Sequence, residues 1–185
     1  MTAPRRAEIG PLGRFSRTQT RALALLGFMG SGKSTVGRLV AERLQAPHRD
    51  LDAMIEERAG MTIAQLFADG GEAAFRALES ELLPLALEPG AVASLGGGTP
   101  LAEPNWALIR ERAFTVWLDA PLPILLGRLK SGQSRARPLF DGRSREQLEA
   151  LLQARLVRYG AADRRVDARG SVAEVAGEVC RLWAG

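Results

Sequence analysis

Five stretches of this sequence carry residue types suited to phosphate chemistry. The first, Gly27-Phe-Met-Gly-Ser-Gly-Lys-Ser-Thr35, meets the pattern G-x-x-x-x-G-K-[ST] at Gly27, Gly32, Lys33 and Ser34. Glycines let such a loop aim several backbone N–H groups inward at phosphate oxygens, and the helix that follows adds its positive end. The expected contacts run through Gly30, Ser31, Gly32, Lys33, Ser34 and Thr35, with Lys33 reaching the terminal phosphates and the Ser34 hydroxyl on Mg²⁺. Of 25 basic residues only Lys33 and Lys130 are lysines. A chain that otherwise uses arginine keeps the compact ammonium where a planar guanidinium would crowd the loop. The motif specifies a nucleoside triphosphate and leaves the acceptor open.

The other four stretches bear on the acceptor. Asp50-Leu-Asp52 places two carboxylates two residues apart, and in extended chain both face one way. One suits the metal's water shell and the other an attacking hydroxyl, whereas Asp52 is equally placed to cap a helix over 53–59. Arg76 and Glu79 share a helix face, so Glu79 can fix the arginine for an anionic ligand; the alternative is an ordinary surface ion pair. Gly96, Gly97 and Gly98 follow an apolar strand and leave room for a close approach to the backbone. From Arg128 to Arg145 six basic residues face only Asp141, which reads as a lid, about 131–143, able to bring an arginine to the transferring phosphate. Within it, Pro138 stiffens the backbone at Arg137.

Positioning these groups requires alternating strands and helices. Short apolar runs at 22–27, 91–95 and 114–118 read as buried strands, with shorter ones ending near Asp50 and Asp167. Helical patterns occupy 33–45, 53–59, 62–68, 72–87, 104–112, 121–130, 144–159 and 172–183, with Ser144 and Gln147 spaced as a capping box. The alternation predicts an α/β fold with a parallel sheet covered on both faces, and its ligand site outside the carboxyl ends of the strands. Both glycine clusters then converge on that edge.

Composition narrows the partners. The net charge of +4 belongs to residues 1–21, with Arg5, Arg6, Arg14, Arg17 and Arg21 against Glu8; the remainder is neutral. A basic tail over 1–20, read as disordered, precedes one domain over 21–185, and no nucleic-acid face is expected. No apolar run is long enough to span a membrane. The single cysteine, Cys180, fits a reducing compartment and falls on a helix face with Val175, Val179 and Leu182 as core filler.

The ordered set GFMGSGKST, DLD, FRALE, LGGG, RPL and Arg155 before Tyr159 resembles the shikimate kinase family over residues 22–183. The resemblance implies a nucleoside-monophosphate-kinase-like P-loop fold with a five-stranded parallel sheet of order 2-3-1-4-5 and a mobile lid. It implies a monomeric cytoplasmic enzyme that uses ATP and Mg²⁺ to phosphorylate the 3-hydroxyl of shikimate. Carried over by position, Asp52 holds the ring hydroxyls, Arg76 and Arg155 grip the carboxylate, and Gly97 and Gly98 offer backbone contacts. Ser34 and Asp50 serve Mg²⁺, Arg137 acts from the lid, and Arg128 or Lys130 flanks the adenine. The family often has R-x-P-L-Y where this chain has Arg155-Leu-Val-Arg-Tyr159. The competing readings are a gluconate-type kinase and a nucleotide-binding regulatory module without turnover.

Overall fold

The computed structural model describes residues 20–130 and 142–184. The basic tail up to residue 19, and residues 131–141 of the expected lid over about 131–143, with Arg137, lie outside the described residues. Five parallel strands, β1 (Ala22–Leu26), β2 (His48–Asp50), β3 (Val92–Ser94), β4 (Ala113–Asp119) and β5 (Arg164–Asp167), form one sheet in the order β2-β3-β1-β4-β5. This is the expected 2-3-1-4-5 order. The central strand β1 is buried along its whole length, as a strand covered on both faces must be. At the edge, β5 buries only Val166.

Seven helices surround the sheet among the described residues: α1 (Lys33–Leu44), α2 (Leu51–Ala59), α3 (Ile63–Ala86), α4 (Glu103–Arg112), α5 (Leu122–Lys130), α6 (Arg145–Tyr159) and α7 (Val172–Ala184). Capping boxes start α3 at Thr62 with Gln65 and α6 at Ser144 with Gln147. The two helical pieces expected over 62–68 and 72–87 form a single kinked element. Gly71, at φ 67° and ψ −174°, turns the chain inside it through backbone angles that only glycine adopts freely. A 3-10 turn at Thr99–Leu101, unsignalled by periodicity, links the triple glycine to α4.

The start of α2 also differs from expectation. Asp50, not Asp52, is the cap: its Oδ1 accepts from the Ala53 amide at 3.3 Å. The helix therefore begins two residues early, and Asp52 sits in its first turn rather than in extended chain beside Asp50. The α7 face places Val175, Val179 and Cys180 in the core against α1, and burial pushes the Cys180 thiol up. Arg43 of α1 reaches the Ala173 carbonyl at 3.0 Å.

A polar chain seats α1 on the sheet. The Ser94 hydroxyl donates to the Lys33 carbonyl at 2.9 Å, and His48 Nε2 lies 3.0 Å from the same hydroxyl. With Ser94 donating onward, His48 acts as the donor through Nε2–H. Gly37 makes room: a Cβ there would stand 2.4 Å from Ser94 Oγ and 2.8 Å from His48 Nε2.

Gly37→Ala is therefore expected to lower the unfolding free energy by about 1–3 kcal/mol in urea titration, by overpacking this contact. Burial holds the His48 pKa below its ordinary 6.5, with Asp50 raising it and Arg38 lowering it. The unfolded chain then takes up the proton first. The stability attached to neutral His48 is whole above about 6.5 and is lost as pH falls toward the folded midpoint. Proton NMR of this sole histidine should titrate below 6.5, and His48→Gln should remove that part of the pH dependence of stability.

Candidate active site

Parallel pairing of β1 with β3 sets the two glycine clusters side by side at the carboxyl edge of the sheet. The phosphate loop leaves β1 at Gly27. At Gly30, φ is 79° and a Cβ would lie 2.6 Å from the Leu125 carbonyl of α5, so both conformation and space demand glycine. Lys33 Nζ donates to the carbonyls of Gly27 at 2.9 Å and Phe28 at 3.1 Å, folded inside the loop. Ser31 Oγ is buried without a hydrogen-bond partner among the described residues. Ser34 and Thr35 are exposed at the first turn of α1.

These features fit a triphosphate. An orphaned hydroxyl and a buried ammonium stand at the positive end of a helix. The exposed Ser34 hydroxyl at the first turn of α1 is chemically suited to Mg²⁺, a hard cation that takes oxygen ligands.

Each member of the triple glycine borders a different polar group. A Cβ at Gly96 would lie 2.7 Å from Glu79 Oε1, 2.8 Å from Thr99 Oγ1 and 3.4 Å from Asp52 Oδ1. At Gly97 it would lie 3.0 Å from Arg155 Nη1 and 3.4 Å from Tyr159 Oη. At Gly98 it would meet the Arg76 guanidinium at 2.5 Å. The structure thus brings Asp52, Arg76, Arg155 and the three glycines together, from α2, α3, α6 and the end of β3.

The two arginines are held differently. Arg76 Nη1 donates to Glu79 Oε2 at 2.7 Å, and its Nε and Nη2 reach Glu72 Oε1 at 3.3 and 3.1 Å. Glu79 is only 1% exposed and takes a second bond at 2.6 Å from the Thr99 hydroxyl, so this is not a surface pair. Burial opposes the charge on Arg76, but Glu79 and Glu72 outweigh it and raise its pKa. Arg155 is 4% exposed, lies over the Phe28 ring at 5.4 Å, and has no carboxylate partner among the described residues. Its Nε makes no hydrogen bond there. A buried guanidinium left this way is poised for an anion.

Thr99, Phe28 and Tyr159 were not singled out as site residues in the sequence. Tyr159 donates to the Gly97 carbonyl at 2.6 Å. The available signal was its place four residues after Arg155, on the same helix face. Arg128 donates to the Ala168 carbonyl at 2.7 Å, joining α5 to the loop after β5, while Lys130 is exposed.

Fold and loop together define a P-loop phosphotransferase that places an acidic and basic acceptor pocket beside its nucleotide loop. The family model described as shikimate kinase matches residues 29–183. A shikimate kinase of Geobacter sulfurreducens is 45% identical over 162 residues, covering 86% of this chain and 88% of that protein. The shikimate kinase of Acinetobacter baumannii, solved in complex with shikimate, superposes with a TM-score of 0.82 at 31% identity, covering 90% of this chain and 94% of that one. The chain belongs to the shikimate kinase family. Its activity is ATP-dependent phosphorylation of shikimate, with Mg²⁺, in aromatic amino-acid biosynthesis. A gluconokinase from Sinorhizobium meliloti, at TM-score 0.54 and 20% identity, shares the fold alone.

Thr99→Val should leave one oxygen of the buried Glu79 carboxylate without its donor. The expected loss is about 1–3 kcal/mol of stability, read as a lower midpoint in thermal unfolding.

Proposed function

We propose specific roles for this chain's residues in phosphorylating the 3-hydroxyl of shikimate to shikimate 3-phosphate. The observation that carries the reading is the convergence of Asp52, Arg155 and Arg76 on Gly96, Gly97 and Gly98. Shikimate presents one carboxylate and three hydroxyls. Two guanidiniums match the former and one carboxylate the latter, each through charge-assisted hydrogen bonds of about 1.5–3 kcal/mol. Three residues without side chains let these polar groups close on the backbone, so that they flank one small acid together.

Asp52 orients the attacking hydroxyl and takes its proton as the oxygen bonds to the terminal phosphorus and the bond from that phosphorus to the bridging oxygen breaks, releasing ADP. Lys33 exchanges its loop carbonyls for phosphate oxygens, since an ammonium is better satisfied by an anion than by neutral carbonyls. Gly30, Ser31, Gly32, Ser34 and Thr35 line the phosphate chain. Ser34 and Asp50 hold Mg²⁺, which when bound neutralises charge on the transferring phosphate. Arg137 adds a positive charge from the lid segment. Arg128, half-buried and fixed to the loop after β5, is the better-supported wall for the adenine.

Asp52, Arg76 and Arg155 converge within a single chain, which is compatible with a monomer. No helix among the described residues is long and apolar enough to cross a membrane. A cytoplasmic enzyme, where ATP is supplied and Cys180 stays reduced, fits these features. A regulatory module without turnover is disfavoured by the presence of Lys33, Asp50, Asp52 and Arg137 in one chain.

The test is ADP release with shikimate, with gluconate and nucleoside monophosphates as controls. Arg76→Ala should raise the shikimate KM by about tenfold or more. Arg137→Ala should cut kcat by about 10³-fold while shikimate binding changes little. An unchanged shikimate KM in the first variant, or near-normal turnover in the second, would remove that residue from its role.

A further inference from the structure

Arg155 poses a mechanical problem. A buried guanidinium with no carboxylate partner among the described residues gains by moving toward water, and only a ring face supports it within the site. Something must hold the end of α6 in place. Arg158, about one turn further along that helix, reaches α4, which follows the triple glycine. Its Nη2 donates to Glu103 Oε2 at 2.6 Å, and its guanidinium stacks over the Trp106 ring at 5.2 Å. Glu103 is in the first turn of α4 and Arg158 in the last turn of α6. Each charge therefore also suits the dipole of its own helix end, which keeps both side chains where they can meet.

We propose that Arg158 is a positioning residue for shikimate, clamping α6 onto α4 through Glu103 and Trp106 and so holding Arg155 against Gly97. The clamp works alongside the Tyr159 bond to the Gly97 carbonyl. Together they tie the triple glycine and the start of α4 to one helix. The inference rests on the reading that Arg155 grips the substrate carboxylate. Arg158 itself touches no reacting atom.

The test is a double-mutant cycle on the full chain, with shikimate KM, ATP KM, kcat and thermal midpoint measured for each variant. Arg158→Ala should raise the shikimate KM about fivefold, the scale of one exposed ion pair plus one cation–π contact, with ATP KM and kcat within about twofold. Arg158→Lys, which keeps a cation over Trp106, should recover part of the loss. Arg155→Ala should raise the shikimate KM further, and Arg155→Ala/Arg158→Ala should be no worse than Arg155→Ala alone, because a residue acting through another adds nothing once that one is gone. An unchanged shikimate KM in Arg158→Ala, parallel losses in all kinetic constants, or additive effects in the double variant would overturn the clamp and leave the Arg155 assignment standing. An unchanged shikimate KM in Arg155→Ala would overturn both.

Discussion

The site depends on a steric constraint: the space that a side chain would take at positions 96, 97 and 98 is already filled by polar groups. Glu79, Thr99 and Asp52 occupy it at the first glycine, Arg155 and Tyr159 at the second, Arg76 at the third. Three bare backbone units thus let four elements approach one strand end more closely than packed side chains would allow. That strand end sits beside the phosphate loop because β1 and β3 are neighbours, with Leu25 opposite Ser94. The sheet order and the glycines together place acceptor and donor pockets edge to edge, as expected where strand order reverses in an open α/β sheet.

Two cations serve this pocket with opposite electrostatic designs. Arg76 enters the folded state already neutralised by Glu79 and Glu72, so its folded position costs little, and its remaining donor capacity is directional rather than strongly charged. Arg155 brings an uncompensated charge among the described residues. Burying it opposes folding, and an anion arriving beside it recovers that penalty. Ligand binding is therefore expected to stabilise the protein by more than the contacts alone suggest. The Glu79 carboxylate belongs to the first design: with Thr99 on one oxygen and Arg76 on the other, both oxygens are engaged and the arginine has one orientation.

Much of this was legible in the sequence, and the remainder was hidden for identifiable reasons. The buried run Ala22–Leu26, the loop that follows it and the Ser144 capping box announce themselves through local pattern. The convergence of two glycine clusters follows from the rule for strand ends, whereas the strand order came from family resemblance and not from periodicity. What escaped was tertiary. Taken alone, Arg76 and Glu79 read better as a surface pair, because Thr99, the other partner of the buried Glu79, is 20 residues away. Asp50 makes the cap that Asp52 was equally placed to make, since the early start of α2 depends on where β2 ends. Arg158 looked like a departure from the family pattern, and its partners Glu103 and Trp106 lie on another helix.

The docking of α7 on α1 bears on biogenesis. The helix that begins at Lys33 is covered by a segment about which the chain closes only after a long excursion: Arg43 and the Ala173 carbonyl that it holds are 130 residues apart. During synthesis the apolar back of α1 stays bare until the 170s have emerged from the ribosome. A nascent chain that already contains the whole nucleotide loop, Arg76 and Arg155 therefore still lacks the segment that packs on α1.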